Sequence, residues 1–129
     1  MAGIGRRHRC RTALGGLGLR DEYPAALPRL QALLYANTDL TGTQPSMREK
    51  AAGWGLDAST VRFFNSQWVP DQARWSDPGV SPLHAPDLSG LPGTLIVTAE
   101  HDPLRDESEA YAAACATPVS RSNYVASQA

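Results

Sequence analysis

Hydrophobic positions change period several times along the chain. Residues 1–20 follow neither a helical nor a strand repeat and are broken by Gly3, Gly5, Gly15, Gly16 and Gly18, which predicts weak structure there. Leu30-Gln31-Ala32-Leu33-Leu34-Tyr35 is a short apolar run between Pro28 and Asn37. Its length suits a strand buried on both faces, the parallel-sheet type. Ser46 followed by Glu49 fits a capping box, in which the serine hydroxyl accepts from the backbone three residues on and the glutamate reaches back. The helix it predicts runs through Ala51 and Ala52 and stops at Gly53 or Gly55. A second helix begins at Asp57, with Val61, Phe64 and Trp68 at helical spacing on one face, Phe63 widening it, and Pro70 ending it.

Pro70, Pro78, Pro82, Pro86 and Pro92 exclude a long helix or a central strand from 70–93. Trp75, Leu83, Leu88 and Leu91 argue that this connection is packed rather than disordered. Leu95-Ile96-Val97-Thr98-Ala99 is the strongest strand signal, and Glu100-His101-Asp102-Pro103 turns the chain after it. Asp106 and Glu107 then precede Ala110-Tyr111-Ala112-Ala113-Ala114, a helix with acids at the end its dipole favours. Beyond Cys115 the Ser/Asn-rich tail, 115–129, loses its period. The order strand, helix pair, loop, strand, helix is an α/β pattern.

Composition narrows the function classes. With 129 residues, 42% hydrophobic and 19% charged, the chain reads as one soluble globular domain. No apolar stretch approaches the roughly 20 residues of a membrane span. Charge is unevenly placed. Residues 1–20 hold Arg6, Arg7, Arg9, Arg11 and Arg20 and no acid, a charge of +5. Residues 21–129 hold 7 Lys+Arg against 13 Asp+Glu, which leaves −6. The basic run is short and lacks aromatics, so it makes a poor nucleic-acid arm. Arg6-Arg7 resembles a twin-arginine start only weakly, because the stretch after it is a poor apolar region. Cys10 and Cys115 form neither a metal-ligand pattern nor a disulfide framework, which favours reduced thiols and a cytoplasmic protein.

Among residues that could carry chemistry, Asp102 stands out. It follows the carboxyl end of an expected buried parallel strand, where α/β folds place ligands and catalytic groups. Position alone also allows a plainer role, capping the turn or helix that follows. Trp54, Phe63, Phe64 and Trp68 either line an acyl or alcohol pocket or pack a helix pair, the second being simpler. Glu49, Glu107 and Glu109 read as capping or solvated acids, and His84 as a surface or loop-packing residue.

Two adjoining blocks add a resemblance. Ser81-Pro82-Leu83-His84-Ala85-Pro86-Asp87-Leu88-Ser89-Gly90-Leu91-Pro92, followed by Gly93-Thr94-Leu95-Ile96-Val97-Thr98-Ala99-Glu100-His101-Asp102-Pro103-Leu104-Arg105-Asp106-Glu107, is similar to the late core of the hormone-sensitive-lipase-like esterases. Leu33-Leu34-Tyr35-Ala36-Asn37-Thr38-Asp39-Leu40 resembles the preceding core strand of that family, and the helices of 46–69 resemble its lid connection. The resemblance runs from about Leu30 to Ala113. It implies an α/β-hydrolase fold, hydrolysis of carboxylic esters without a cofactor or metal, and Asp102 as the acid of the catalytic triad. The fold expected is a partial α/β-hydrolase core over 21–114, with parallel strands near 30–36 and 94–99, lid-type helices between them and the Pro-rich connection of 70–93. Oligomeric state is not set by the sequence.

The remaining triad members depart from the family's pattern. A nucleophile belongs in a Gly-x-Ser-x-Gly elbow before the Leu30 strand, yet none of the ten serines has glycine two residues away on both sides. The histidine belongs after the acid, yet none follows His101. His101 adjoins Asp102, but successive side chains leaving a strand point apart. The expectation is therefore an acid-bearing esterase core, inactive alone, flanked by segments foreign to it through a shifted frame or gene boundary. The alternative is a non-catalytic interaction module that docks through an exposed sheet edge and apolar face.

Overall fold

In the computed structural model, Leu17 and residues 20–115 are described. Among the described residues, two strands and three α-helices follow in chain order, with short 3-10 turns at Pro24–Ala26, Gln72–Arg74 and Pro82–His84: strand β1 (Leu30–Leu34), helix α1 (Ser46–Glu49), helix α2 (Ala58–Trp68), strand β2 (Gly93–Val97) and helix α3 (Arg105–Ala114). β1 and β2 are parallel neighbours, in a register that pairs Leu30 with Gly93 and Leu34 with Val97. The two apolar runs thus form adjacent parallel strands, as the sequence predicts. Tyr35 N–H donates to Val97 O at 2.9 Å and carries the ladder one residue further. Tyr35 then takes a left-handed φ of 51°, a conformation costing a non-glycine residue about 1–3 kcal/mol. That bend sends Ala36, Thr38, Asp39 and Leu40 into the interior.

The sheet has one covered face. Leu33 and its cross-strand partner Ile96 join Leu17, Ala36, Leu88, Tyr111 and Ala112 in the main core, with α3 packed over them. Burying a side chain such as Leu33 contributes roughly 1.5–3 kcal/mol. On β1, burial alternates: Gln31 and Leu33 are buried, Leu30, Ala32 and Leu34 exposed. Leu30 and Leu34 expose 61% and 53% of their surface. The expectation of a strand buried on both faces is corrected here: among the described residues only one face of β1 is covered. Two smaller clusters flank the main core. Leu40, Val69, Trp75 and Val80 form one, and Met47, Val61 and Leu104 the other.

The helices between the strands depart from the pattern in two respects. α1 stops at Glu49, with Lys50 as its C-cap, so it does not reach Ala51 or Ala52. Gly53 and Gly55 take positive φ of 90° and 93° in the turns that follow. On α2 the buried residues are Val61 and Asn65, one turn apart, while Phe63, Phe64 and Trp68 are exposed. Asn65 faces inward because its side chain bonds to Asn37 and to the Leu40 carbonyl. The Pro-rich connection is ordered through polar bonds: Trp75 Nε1 donates to Val69 O at 2.8 Å, and Leu40 N–H to Ser81 Oγ at 2.8 Å.

From the basic segment 1–20, the described Leu17 lies in the main core, and Arg20 donates to the carbonyls of Asp87 and Ser89. Arg6, Arg7, Arg9, Arg11, Cys10 and the tail beyond Cys115 lie outside the described residues.

Candidate functional site

The turns that leave the carboxyl ends of β1 and β2 meet at the start of α3. Asp102 stands in the second turn, five residues past Val97. Its N–H donates to Ala99 O at 3.3 Å and its carbonyl accepts from Arg105 N–H at 3.1 Å. Its Oδ1 accepts from Leu104 N–H at 2.9 Å, so Asp102 also caps the entry to α3. The placement and the capping role coexist, because a carboxylate offers several acceptor sites on two oxygens.

Ser46 fastens α1 to this turn. Its Oγ donates to Pro103 O at 2.8 Å and accepts from Asp106 N–H at 3.1 Å, while its own N–H donates to Asp106 Oδ2 at 2.9 Å. The capping box expected from Ser46 and Glu49 is not formed, since Pro45 is the N-cap of α1 and gives no side-chain bond. Physically, the Ser46 hydroxyl is spent on a turn 57–60 residues away. Glu49 instead lies 3.7 Å from Arg105 Nη2. Arg105 also pairs with Glu100 and Asp106, and its bond to the Asp106 side chain lifts its pKa further. A third link is aromatic: the Trp54 indole stacks on the His101 ring, centroids 3.8 Å apart and planes 9° from parallel.

Glu107 was expected to be a capping or solvated acid, and the structure corrects this. It is fully buried. Oε1 accepts from Thr38 N–H at 2.6 Å and Asp39 N–H at 3.1 Å. Its backbone carbonyl accepts from Thr38 Oγ1, and the next residue, Ser108, donates through Oγ to Ala36 O at 2.8 Å. Burial pushes the Glu107 carboxyl well above the ordinary carboxylate range; the two backbone donors oppose this, and the charges of Asp39 and Asp102 add to it. The only sequence hint was the position of Glu107 one turn before Tyr111, on the apolar stripe of α3.

His84 reaches Asp39, with Nε2 at 2.9 Å from Oδ1. Asp39 is buried and also accepts from Thr41. His84 is therefore a half-exposed residue tying the Pro-rich connection to the turn after β1. Trp54, Phe63, Phe64 and Trp68 are all exposed, Phe64 by 62%. The reading in which they pack a helix pair is corrected: among the described residues Phe63 and Phe64 meet edge to face, and Trp54 stacks on His101 with Lys50 Nζ 5.7 Å from its ring centroid. A cavity of about 310 Å³ lies instead on the other side of α2, lined by Leu40, Met47, Val61 and Asn65 with Arg48 and Arg62 at its side. No cluster of three or more potential metal ligands occurs among the described residues, and none of their helices is long and apolar enough to cross a membrane.

Comparison with known proteins places this geometry. Residues 12–126 match the family described as alpha/beta hydrolase fold. The chain is similar to the carboxylic ester hydrolase LipN of Mycobacterium tuberculosis, with 44% identity over 88 residues, 67% of this chain and 23% of that protein. It is also similar to an ethyl acetate hydrolase of Pseudomonas putida, 38% identical over 87 residues, 67% of this chain and 27% of that protein. Among solved structures, it superposes on a thermophilic carboxylesterase cloned from a metagenomic library with a TM-score of 0.76 at 32% identity, covering 84% of this chain and 39% of the other. A hyperthermophilic esterase from the archaeon Pyrobaculum calidifontis gives 0.74 at 32% identity, covering 84% and 37%. The chain thus spans about a quarter of the length of the curated relatives it matches. It belongs to the α/β-hydrolase fold family, in the hormone-sensitive-lipase-like carboxylesterase branch, and comprises part of that fold.

Proposed function

We propose that Asp102 is the acid of a Ser-His-Asp triad and that this chain is the acid-bearing part of a carboxylic ester hydrolase. The observation that supports this best is the position of Asp102 in a tethered turn at the carboxyl ends of two adjacent parallel strands. There a carboxylate can accept from a histidine Nδ1–H, hold the ring's tautomer and stabilise the imidazolium formed when serine attacks the ester carbonyl. The carboxylate does no hydrolysis itself. No Gly-x-Ser-x-Gly occurs in the sequence and no histidine follows His101, so in this reading the chain alone is inactive. Trp54, Phe63, Phe64 and Trp68 form an exposed apolar surface on the lid segment, and in the same reading they border the acyl or alcohol side of the ester site. No cofactor or metal is required. A cytoplasmic location goes with this reading, on the spacing of Cys10 and Cys115.

A graft tests it. Residues 20–115, placed in the corresponding segment of the metagenomic carboxylesterase, should sustain hydrolysis of short-chain nitrophenyl esters. Asp102→Asn in that graft should lower turnover by ~10⁴-fold. The purified chain should show no turnover above buffer. A folded graft that works equally well with asparagine at 102 overturns the assignment.

The exposure of Leu30 and Leu34 favours a second reading, an interaction module that docks through this apolar face. Sedimentation decides between them: a defined complex that Leu34→Lys dissolves supports the module, and a monomer unaffected by that change opposes it.

A further inference from the structure

A carboxyl group that is fully buried, with one oxygen unsatisfied, is a costly choice for a helix position that an apolar residue could fill. Glu107 is such a group: Oε2 has no hydrogen-bond partner among the described residues. A buried polar group left in that state is destabilising, so the bonds made by the other oxygen call for a reason. Oε1 holds two successive N–H groups, those of Thr38 and Asp39, in the turn after β1. Glu107 sits in the first turn of α3, and that turn carries Asp102 directly. Leu104 N–H donates to Asp102 Oδ1, Arg105 N–H donates to Asp102 O, and Ser108 N–H donates to Leu104 O. Glu107 therefore lies two residues beyond Arg105, in the helical turn whose backbone bonds to Asp102, and is at the same time the hydrogen-bond partner of the turn after β1.

We propose that Glu107 is a positioning residue whose buried carboxyl fastens the turn after β1 to the first turn of α3 and so fixes where Asp102 stands. The proposal rests on the reading of Asp102 as the triad acid, and it names what holds that acid in place. The charged groups facing Glu107 are Asp39 from the turn after β1 and Asp102 from the turn after β2, with His84 of the Pro-rich connection paired to Asp39. Both near neighbours are acids, so the site favours Glu107 as a neutral carboxyl that still accepts through Oε1. A glutamine has the same shape and the same accepting oxygen. A shorter carboxyl at this position cannot span the distance to Thr38 and Asp39.

Amide hydrogen exchange and ¹³C-carboxyl titration of the full chain test this, with the Ala112 amide on the core side of α3 as an internal reference. In Glu107→Ala and Glu107→Asp, exchange at Thr38, Asp39 and Leu104 should quicken at least tenfold while Ala112 is unchanged, and the Asp102 carboxyl titration should move. Glu107→Gln should restore all three amides to within twofold of the parent chain and leave the Asp102 titration where it was. A folded Ala or Asp variant with Leu104 exchange and Asp102 titration unchanged overturns the proposal. So does failure of Glu107→Gln to fold, because it retains the volume and the accepting oxygen. If Ala and Asp variants both unfold while Gln stays native, Glu107 holds the whole core rather than the acid's turn, and the proposal is overturned as well. These readouts do not involve ester hydrolysis, so their failure is distinct from failure of the triad assignment.

Discussion

The two turns beside α3 and the outer face of α2 are built on opposite terms. Around Asp102 polar side chains are buried and engaged: Ser46, Glu107 and Ser108 each reach a backbone group at least 57 residues away in sequence. On the outer face of α2 the large apolar rings of Phe63, Phe64 and Trp68 stand in solvent. In a typical domain the polar groups lie outside and the rings inside. The inversion teaches where each region finds its partners. Long-range hydrogen bonds close the geometry of the turn holding Asp102 within the described residues, whereas the exposed rings, like Leu30 and Leu34, are covered by none of the described residues.

Several changes would break or sharpen that contrast. The largest effect is expected from Leu33→Ala in the main core, a loss of about 2–5 kcal/mol in urea unfolding; a loss below 1 kcal/mol would mean the sheet is not held by this face. Ser46→Ala removes the bridge from α1 to Pro103 and Asp106 and should cost about 1–3 kcal/mol, because buried partners are left unpaired. The raised pKa of Glu107 sets a pH dependence. The folded state favours its protonated form, so stability is full below the ordinary carboxyl range and is lost as pH rises from there through the folded-state value. Thermal midpoints across that window should fall in the parent chain and stay flatter in Glu107→Gln; parallel curves would show that Glu107 is not the group responsible. The smallest effect belongs to the exposed side, where Phe64→Ser and Leu34→Ser should each stay within about 0.5 kcal/mol in the same unfolding measurement.

How much of this was legible in the sequence follows the range of the forces involved. The strands were readable because Leu30–Tyr35 and Leu95–Ala99 are apolar runs of strand length, and their pairing follows from an α/β order. The Pro-rich connection was readable as ordered because Trp75 and Leu88 lie within it, and both are buried. The place of Asp102 after the second strand was readable from the apolar run before it, while its role as triad acid belongs to the proposal. Ser46 was misread because a capping box and a long-range tether use the same hydroxyl, and local spacing cannot tell which partner wins. Glu107 was misread because only tertiary donors 68–69 residues away make its burial tolerable. On α2, helical periodicity predicts Val61, Phe64 and Trp68 on one inward face, but Val61 and Asn65 face inward instead, because Asn65 bonds to Asn37 and Leu40.

The stack of Trp54 on His101 makes the acid's surroundings observable without a label. An imidazole held face to face with an indole perturbs its excited state, so His101→Ala should change the emission of Trp54. Trp75 is buried elsewhere and Trp68 has no ring partner among the described residues, which leaves Trp54 as the indole whose brightness follows the residue adjoining Asp102. The emission of Trp54 is thereby an optical gauge of the turn that holds Asp102, readable in a cuvette.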